Sequence, residues 1–169
     1  YHESAERIAS DLRRAADLLP INWDNTVVGR ETSGKNELRI NKIMALGYLG
    51  KNLLWAGSPL MNYESTGSRT YNVEYSKRAS DAFGELLELV ETGQTQYALL
   101  PFKDYHKNFY TMGQNWRIPG GTEAIFRPPF FDANASNWGI SKQYIPQVVG
   151  GGDPIKFLPT ANYVNFYGM

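Results

Sequence analysis

The sequence predicts a mainly α fold, with three amphipathic helices followed by a long part that is rich in aromatic residues and loops. In the first 92 residues, apolar side chains recur at intervals of three and four in three separate segments. Beyond residue 112, aromatic side chains are mixed with glycine, proline and asparagine, a composition typical of ordered loops. A chain of 169 residues is expected to form one domain, helical over residues 1–112 and loop-rich over residues 113–169.

The first helix is predicted over residues 5–19, where apolar residues share one face and charged residues occupy the other. Pro20 is expected to end it, because proline cannot continue a helix. A polar connector follows over residues 22–34. Within it, Thr32 or Ser33 can cap a second helix, which is predicted over residues 35–57.

The second helix ends in the most informative stretch of the chain, YLGKNLLWAGSPLMN at residues 48–62. Glycine in a helix interior costs about 1 kcal/mol relative to alanine, so small residues there indicate close approach of a neighbouring helix. The small residues concerned are Gly47, Gly50, Ala56 and Gly57. Burial is expected of Leu49, Leu53, Leu54 and Trp55. Pro59 is predicted to end the helix.

The rest of the chain is predicted to contain one more long helix. Residues 62–72 are rich in serine, threonine, glycine and asparagine and indicate a loop. Apolar residues at helical spacing then predict a helix over residues 75–90, which Thr92 and Gly93 end. An extended YALLPF segment precedes a short helix over residues 103–110, and EAIF at residues 123–126 resembles a short strand.

The composition excludes several classes of function. Seventeen basic and seventeen acidic residues give no net charge, and no basic run occurs, so neither nucleic acid nor an anionic membrane is expected as a partner. The sequence has no cysteine, which excludes a disulfide framework and thiol chemistry within the chain. No apolar run reaches the length of a membrane-spanning helix. A neutral or weakly polar ligand is favoured.

No motif in the sequence predicts an enzyme, a metal site or a cofactor. The zinc and calcium patterns are absent, and the two histidines, His2 and His106, lie far apart in the sequence. His106 is predicted to be an exposed residue of the short helix. Ser58 precedes a proline, with no histidine near it in the sequence, and is interpreted as part of the end of the second helix rather than as a nucleophile. A solvated helix face is a better interpretation than a catalytic acid pair for Glu85, Glu88 and Glu91.

The aromatic surface between residues 116 and 144 is the candidate ligand site. Indole and phenol rings offer flat apolar faces to the C–H faces of sugar rings, and amide or guanidinium groups can bond the hydroxyls. Aromatic residues in loops also anchor those loops to the core, and both interpretations stay open. Trp138 and Tyr144 have polar neighbours in the sequence, which favours binding. The candidate ligand-binding residues are Trp116, Arg127, Asn137, Trp138 and Tyr144.

The order of several motifs resembles that of the SusD/RagB family of surface nutrient-binding lipoproteins. These motifs are ASDLRRAADLLP, LLWAGSPLMN, YSKRASDAFGELLELVETG, QYALLP, EAIF and LPTANYVNFYGM. The most specific are the LLWAGSPL helix end and the PTxNxV segment, formed by Pro159, Thr160, Asn162 and Val164. The resemblance covers nearly the whole chain, but only the middle of a family member.

The resemblance implies tetratricopeptide-like α-α hairpins and a non-catalytic function. Members bind oligosaccharides or other nutrients and pass them to a SusC-like TonB-dependent transporter. They are held by an N-terminal lipid at the extracellular face of the outer membrane, and that anchor would lie outside this chain. Trp138 and Tyr144 would contact the glycan, whereas Trp55 and Ser58 would belong to the scaffold. The alternative is a helical scaffold that engages the transporter, with no ligand site in this segment. A hydrolase is a third hypothesis.

Overall fold

The computed structural model describes residues 1–36, 39–108, 123–126 and 160–166, and the protein is mainly α. The chain divides into two compact units, Tyr1–Pro129 and Phe130–Met169. The first unit contains α1 (His2–Leu18), a 3-10 turn (Trp23–Asn25), α2 (Val27–Arg30), α3 (Lys42–Ala56), α4 (Pro59–Thr66), α5 (Val73–Glu91) and a 3-10 helix (Phe102–Asn108). In the second unit, α6 (Ala161–Phe166) is described.

Helix α3 lies at the centre of the first unit and packs against both α1 and α5. The contact with α1 uses small residues, Ala5 and Ala9, which let the two helices approach closely. Leu49 and Leu53 of α3 fill the space between the helices. The same cluster is completed by Ala56 of α3 and, from α5, by Tyr75, Ala79 and Ala82. The predicted first and third helices are therefore confirmed.

The start of α3 differs from its prediction. The helix begins at Lys42 rather than at residue 35, and its N-cap is Asn41, whose Oδ1 accepts a hydrogen bond from the Met44 backbone N–H at 3.0 Å. Thr32 does not cap a helix, because its hydroxyl instead donates to the Asn36 side-chain oxygen at 2.8 Å. The polar side chains of this connector thus bond one another in a compact turn, which competes with an early helix start.

Pro59 both ends α3 and begins α4, a helix that the sequence pattern missed. Proline fits the first helical turn, where its missing N–H has no partner to lose. Ser58, which the sequence predicts to take part in ending α3, is the N-cap of α4, and its Oγ accepts from the Met61 backbone N–H at 3.4 Å. Residues 62–66, expected to begin a loop, continue this helix until Gly67, which has a φ of 78°.

The small residues of α3 lie where the prediction placed close helix contacts, with one exception. A Cβ atom added to Gly50 would lie 2.6 Å from the Phe83 ring of α5, and one added to Gly57 would lie 3.1 Å from the Tyr75 Cβ. At Gly47 the nearest atom would be 3.7 Å away, an ordinary contact. Close approach therefore explains Gly50 and Gly57, and the same explanation is wrong for Gly47.

Two of the shorter elements also differ from their predictions. Residues 123–126 belong to no strand, and none occurs elsewhere in the ranges that the structure describes. A strand needs a partner strand to complete its backbone hydrogen bonds. The four-residue EAIF pattern contains no information about such a partner. The short helix predicted over residues 103–110 is a 3-10 helix at Phe102–Asn108.

Candidate functional site

The five residues that the sequence predicts to contact a ligand lie outside the described residues. They are Trp116, Arg127, Asn137, Trp138 and Tyr144. Their role as a ligand surface stays a prediction, as does the loop-rich organisation of residues 113–169. Within the first unit, the structure shows a different aromatic surface.

An open groove of about 300 Å³ runs along the junction of α1 and α3. Its lining is mainly apolar and aromatic. Tyr1, Ile8 and Leu12 form one wall, and the wall from α3 consists of Tyr48, Lys51, Asn52 and Trp55. The groove is largely open to solvent, and its volume lies at the lower end of the range for small-ligand sites.

The helical period explains why these side chains face outward. Leu53 is buried, and each further residue turns by about 100° around the helix axis, so Leu54 and Trp55 leave the packed face. Trp55 is 55% exposed and Leu54 50% exposed, which corrects the expectation that both are buried. Tyr48, seven residues before Trp55, lies two turns away on the same face and is 52% exposed.

The base of the groove is held in place by a hydrogen bond between the two helices. Asn52 Nδ2 donates to the carbonyl oxygen of Ala5 at 2.8 Å. This bond fixes the Asn52 amide and leaves its side-chain oxygen as the acceptor that it can offer to a ligand. Ala5 and Ala9 contribute little bulk, so the groove is bounded by the larger side chains on either side. The walls are therefore set by the helix packing rather than by loops.

The sequence contains a signal for this groove that its apolar pattern alone did not reveal. Helix α3 has more large apolar residues than one buried face can hold, because Leu49 and Leu53 already cover the contact with its neighbours. The excess, Tyr48 and Trp55, had to lie on a second face. The polar residues Lys51 and Asn52 lie between Tyr48 and Trp55 in the sequence, which indicates that this second face is accessible to solvent.

The glutamates considered as catalytic acids have different surroundings. Glu85 joins three helices, because its carboxylate lies 2.6 Å from Arg13 of α1 and 3.0 Å from Lys42 of α3. The Arg13 guanidinium, helped by Lys42 and opposed by partial burial, holds the pKa of Glu85 below its usual value. Glu88 and Glu91 are exposed, as expected for a solvated helix face.

A second cluster of titratable groups joins α1 to α5. Arg78 binds both carboxylate oxygens of Glu6, at 2.6 and 3.0 Å, and this contact lowers the pKa of Glu6. Tyr75 lies beside this pair, and burial, followed by Glu6, raises the pKa of Tyr75 to about 12. The His2 ring lies 4.6 Å from Tyr75, and its Nε2 is 3.0 Å from the Ala56 carbonyl oxygen. These contacts bind helices to one another.

The described residues offer no metal cluster and no membrane-spanning helix. Among them, no group of three or more histidine, cysteine, aspartate or glutamate side chains is arranged to hold a metal ion. His106 is exposed on the 3-10 helix, as predicted, and its Nδ1 lies 3.0 Å from the Lys103 carbonyl oxygen. None of the described helices combines the length and the apolar character that crossing a membrane requires.

Comparison of the chain with protein-family models, with curated proteins and with solved structures finds no match. Evidence for a function therefore comes from the sequence motifs and from the geometry of the groove. Of the two, the groove is the one that defines a set of side chains in contact range of a ligand.

Proposed function

We propose that this chain binds oligosaccharide nutrients without cleaving them, as part of a SusD-like protein of the cell surface. The observation that carries the proposal is the open α1–α3 groove, in which Trp55, Tyr48 and Tyr1 are about half exposed. Large aromatic side chains are normally buried, and a cluster of exposed rings in a concave surface is typical of a binding site. The order of the sequence motifs supports the family.

The chemistry of the groove suits sugar rings. The indole of Trp55 offers a flat apolar face for the C–H groups of a pyranose, and the edges of the groove carry groups that bond hydroxyls, such as the Asn52 amide. An open groove leaves part of the ligand solvated and orders few side chains. The dissociation constant is therefore expected in the micromolar to millimolar range. Much of the interaction free energy is offset by the cost of removing water from the sugar hydroxyls, and only the remainder appears as binding free energy.

The rest of the proposal follows the sequence resemblance, which assigns Trp55 to the scaffold; the groove is the reason for placing Trp55 at the ligand instead. The helices α1, α3 and α5 would form tetratricopeptide-like hairpins, and Trp138 with Tyr144 would add a second ligand surface. The bound glycan would pass to a SusC-like TonB-dependent transporter at the extracellular face of the outer membrane. A lipid anchor outside this chain would hold the protein there. No cofactor is involved, and no bond is cleaved.

A second candidate function is a helical scaffold for the transporter with no ligand site in this segment. The exposed Leu54 beside Trp55 favours it, because an apolar helix face can also be covered by a partner protein. A pull-down with the transporter separates the two functions. Loss of the transporter, but not of glycan, on changing Leu54→Ser and Trp55→Ser together would favour the scaffold.

Isothermal titration calorimetry with a panel of oligosaccharides tests the binding function. Trp55→Ala is expected to weaken binding at least tenfold, since one stacked ring contributes a large part of a weak affinity. Tyr71→Ala removes an aromatic residue that is exposed outside the groove, and it should leave the affinity unchanged. Trp138→Ala and Tyr144→Ala test the second surface. Equal affinity of wild type and Trp55→Ala would remove the groove from the site, and release of reducing sugar would show a hydrolase.

A further inference from the structure

Lys51 contributes a charged side chain to the lining of the α1–α3 groove. It follows Tyr48 by three residues and precedes Trp55 by four, so the three side chains share one face of α3. Among the described residues, Lys51 is also the one charged side chain in the lining of the groove. A ligand that contacts both rings is therefore within reach of the flexible Lys51 side chain.

Lys51 is an exposed lysine of α3. Among the residues that the structure describes, no ion pair involves Lys51, whereas Lys42 on the same helix pairs with Glu85. The sequence of α3 contains no acidic residue, and the positions three and four residues from Lys51 are glycine, tyrosine, leucine and tryptophan. On α1, the carboxylate of Glu6 is already bound by Arg78.

A preference for anionic ligands would be a local property of the groove. The whole chain has no net charge, so a preference for anionic ligands cannot arise from a general basic field. It can arise locally, where an ammonium group lies beside apolar rings that exclude part of the water. A hydrogen bond between an ammonium and a carboxylate or sulfate is stronger than one between neutral groups.

We infer that the groove selects acidic oligosaccharides, in which at least one ring carries a carboxylate or sulfate group. This inference rests on the proposed function, and it names the ligand class of the same site. A sugar ring stacks on Trp55, and an acidic group of the same or the next ring accepts hydrogen bonds from Lys51 Nζ. Tyr48 lies two turns, roughly 10 Å, from Trp55 along the helix, so a ligand that reaches both contains more than one ring.

Matched pairs of ligands test this inference. Oligogalacturonate, oligoalginate and hyaluronan oligosaccharides are each compared by calorimetry with the carboxyl-reduced form of the same oligosaccharide, which keeps the rings and linkages but removes the charge. The acidic member of at least one pair is expected to bind about three- to tenfold more tightly, the range for a charged hydrogen bond at a partly exposed site. The difference should shrink as salt is raised from about 50 mM to about 500 mM.

Two variants distinguish this inference from the proposed function. Lys51→Gln should abolish the preference for the acidic form, so that the two members of each pair bind equally, and Trp55→Ala should weaken the binding of both. Lys77→Gln, at an exposed lysine of α5 outside the groove lining, should change neither. Equal affinities within every pair, or a preference that survives Lys51→Gln, overturn the acidic selection while glycan binding stands. Binding of no oligosaccharide in the panel, acidic or reduced, overturns both.

Discussion

Replacing Gly50 by alanine tests the packing of α3 against α5 directly. The added Cβ would lie 2.6 Å from Cε1 and Cζ of Phe83 and 2.8 Å from its Cδ1. Phe83 is partly buried against the core cluster of α1, α3 and α5, so its ring has limited freedom to move away. The substitution therefore inserts one methyl group into a contact that has no space for it.

The magnitude follows from two opposing effects. Alanine is favoured over glycine in a helix interior by about 0.5–1 kcal/mol, which would stabilise the fold. Overpacking of a filled core costs typically about 1–3 kcal/mol. The net change for Gly50→Ala is then a destabilisation of up to about 2 kcal/mol. At roughly 2–4 °C per kcal/mol for a domain of this size, the melting temperature falls by several degrees.

Two other glycines supply matched controls with the same change in helix propensity. A Cβ at Gly84, an exposed position of α5, has no neighbouring atom within 4 Å, and one at Gly47 meets only the Leu86 Cδ1 at 3.7 Å. Gly84→Ala and Gly47→Ala should both stabilise the protein by up to about 1 kcal/mol. The expected order of the unfolding free energies thus separates the steric effect from propensity.

Urea unfolding followed by far-UV circular dichroism measures these differences. In a Phe83→Leu background, the penalty of Gly50→Ala should shrink, because the smaller side chain vacates part of the contact. Equal stabilisation of the protein by Gly50→Ala and by Gly84→Ala would show that the contact between Gly50 and Phe83 has room for a methyl group. A penalty of Gly50→Ala that is the same in the wild-type and Phe83→Leu backgrounds would refute the assignment to the ring.

Three further predictions concern other parts of the fold. Asn41→Ala should lower the unfolding free energy by about 2 kcal/mol or more in the same urea assay, because Asn41, only 1% exposed, caps α3 and donates to the Tyr97 hydroxyl at 2.9 Å. The lowered pKa of Glu85 means that its ion pairs stabilise the fold above the unfolded pKa of about 4.3, and that this contribution is lost as the pH falls through the lower folded pKa. Glu85→Gln should therefore flatten the acid limb of the stability profile, measured by melting between about pH 3 and 7, while Glu88→Gln should not. Spectrophotometric titration should show a tyrosine with a pKa of about 12 that is missing in Tyr75→Phe.

Hydrophobic periodicity was sufficient to predict the mainly α fold. The bounds of α1 and α5 and the end of α3 follow from apolar spacing and from proline and glycine, which are local signals. The start of α3 does not follow from local signals, because the side chains of Thr32 and Asn41 can both cap a helix N-terminus. The choice between them depends on the Asn41–Tyr97 contact, which joins residues 56 apart in the sequence. Helix α4 was missed because its serine, threonine and asparagine residues are typical of loops.

The excess of large apolar residues in α3 indicates a second face, but which residues line the groove could not be predicted, because exposure depends on the phase of a helix relative to its partners. A tryptophan next to Leu53 and Leu54 suggests burial on composition alone. Its outward position follows from the packing of α3 between α1 and α5, with Leu49 and Leu53 facing inward. The contribution of Tyr1 and Ile8 to the opposite wall is a tertiary contact that no local pattern encodes.

The most direct test of the central claim is nuclear magnetic resonance of the Trp55 indole N–H during a glycan titration. The resonance is assigned by its loss in Trp55→Phe. If the α1–α3 groove binds oligosaccharides, the Trp55 signal shifts in a saturable manner, with the dissociation constant that calorimetry gives for the same ligand. A Trp55 signal that stays in place while calorimetry reports saturation would contradict the account and locate binding elsewhere in the chain.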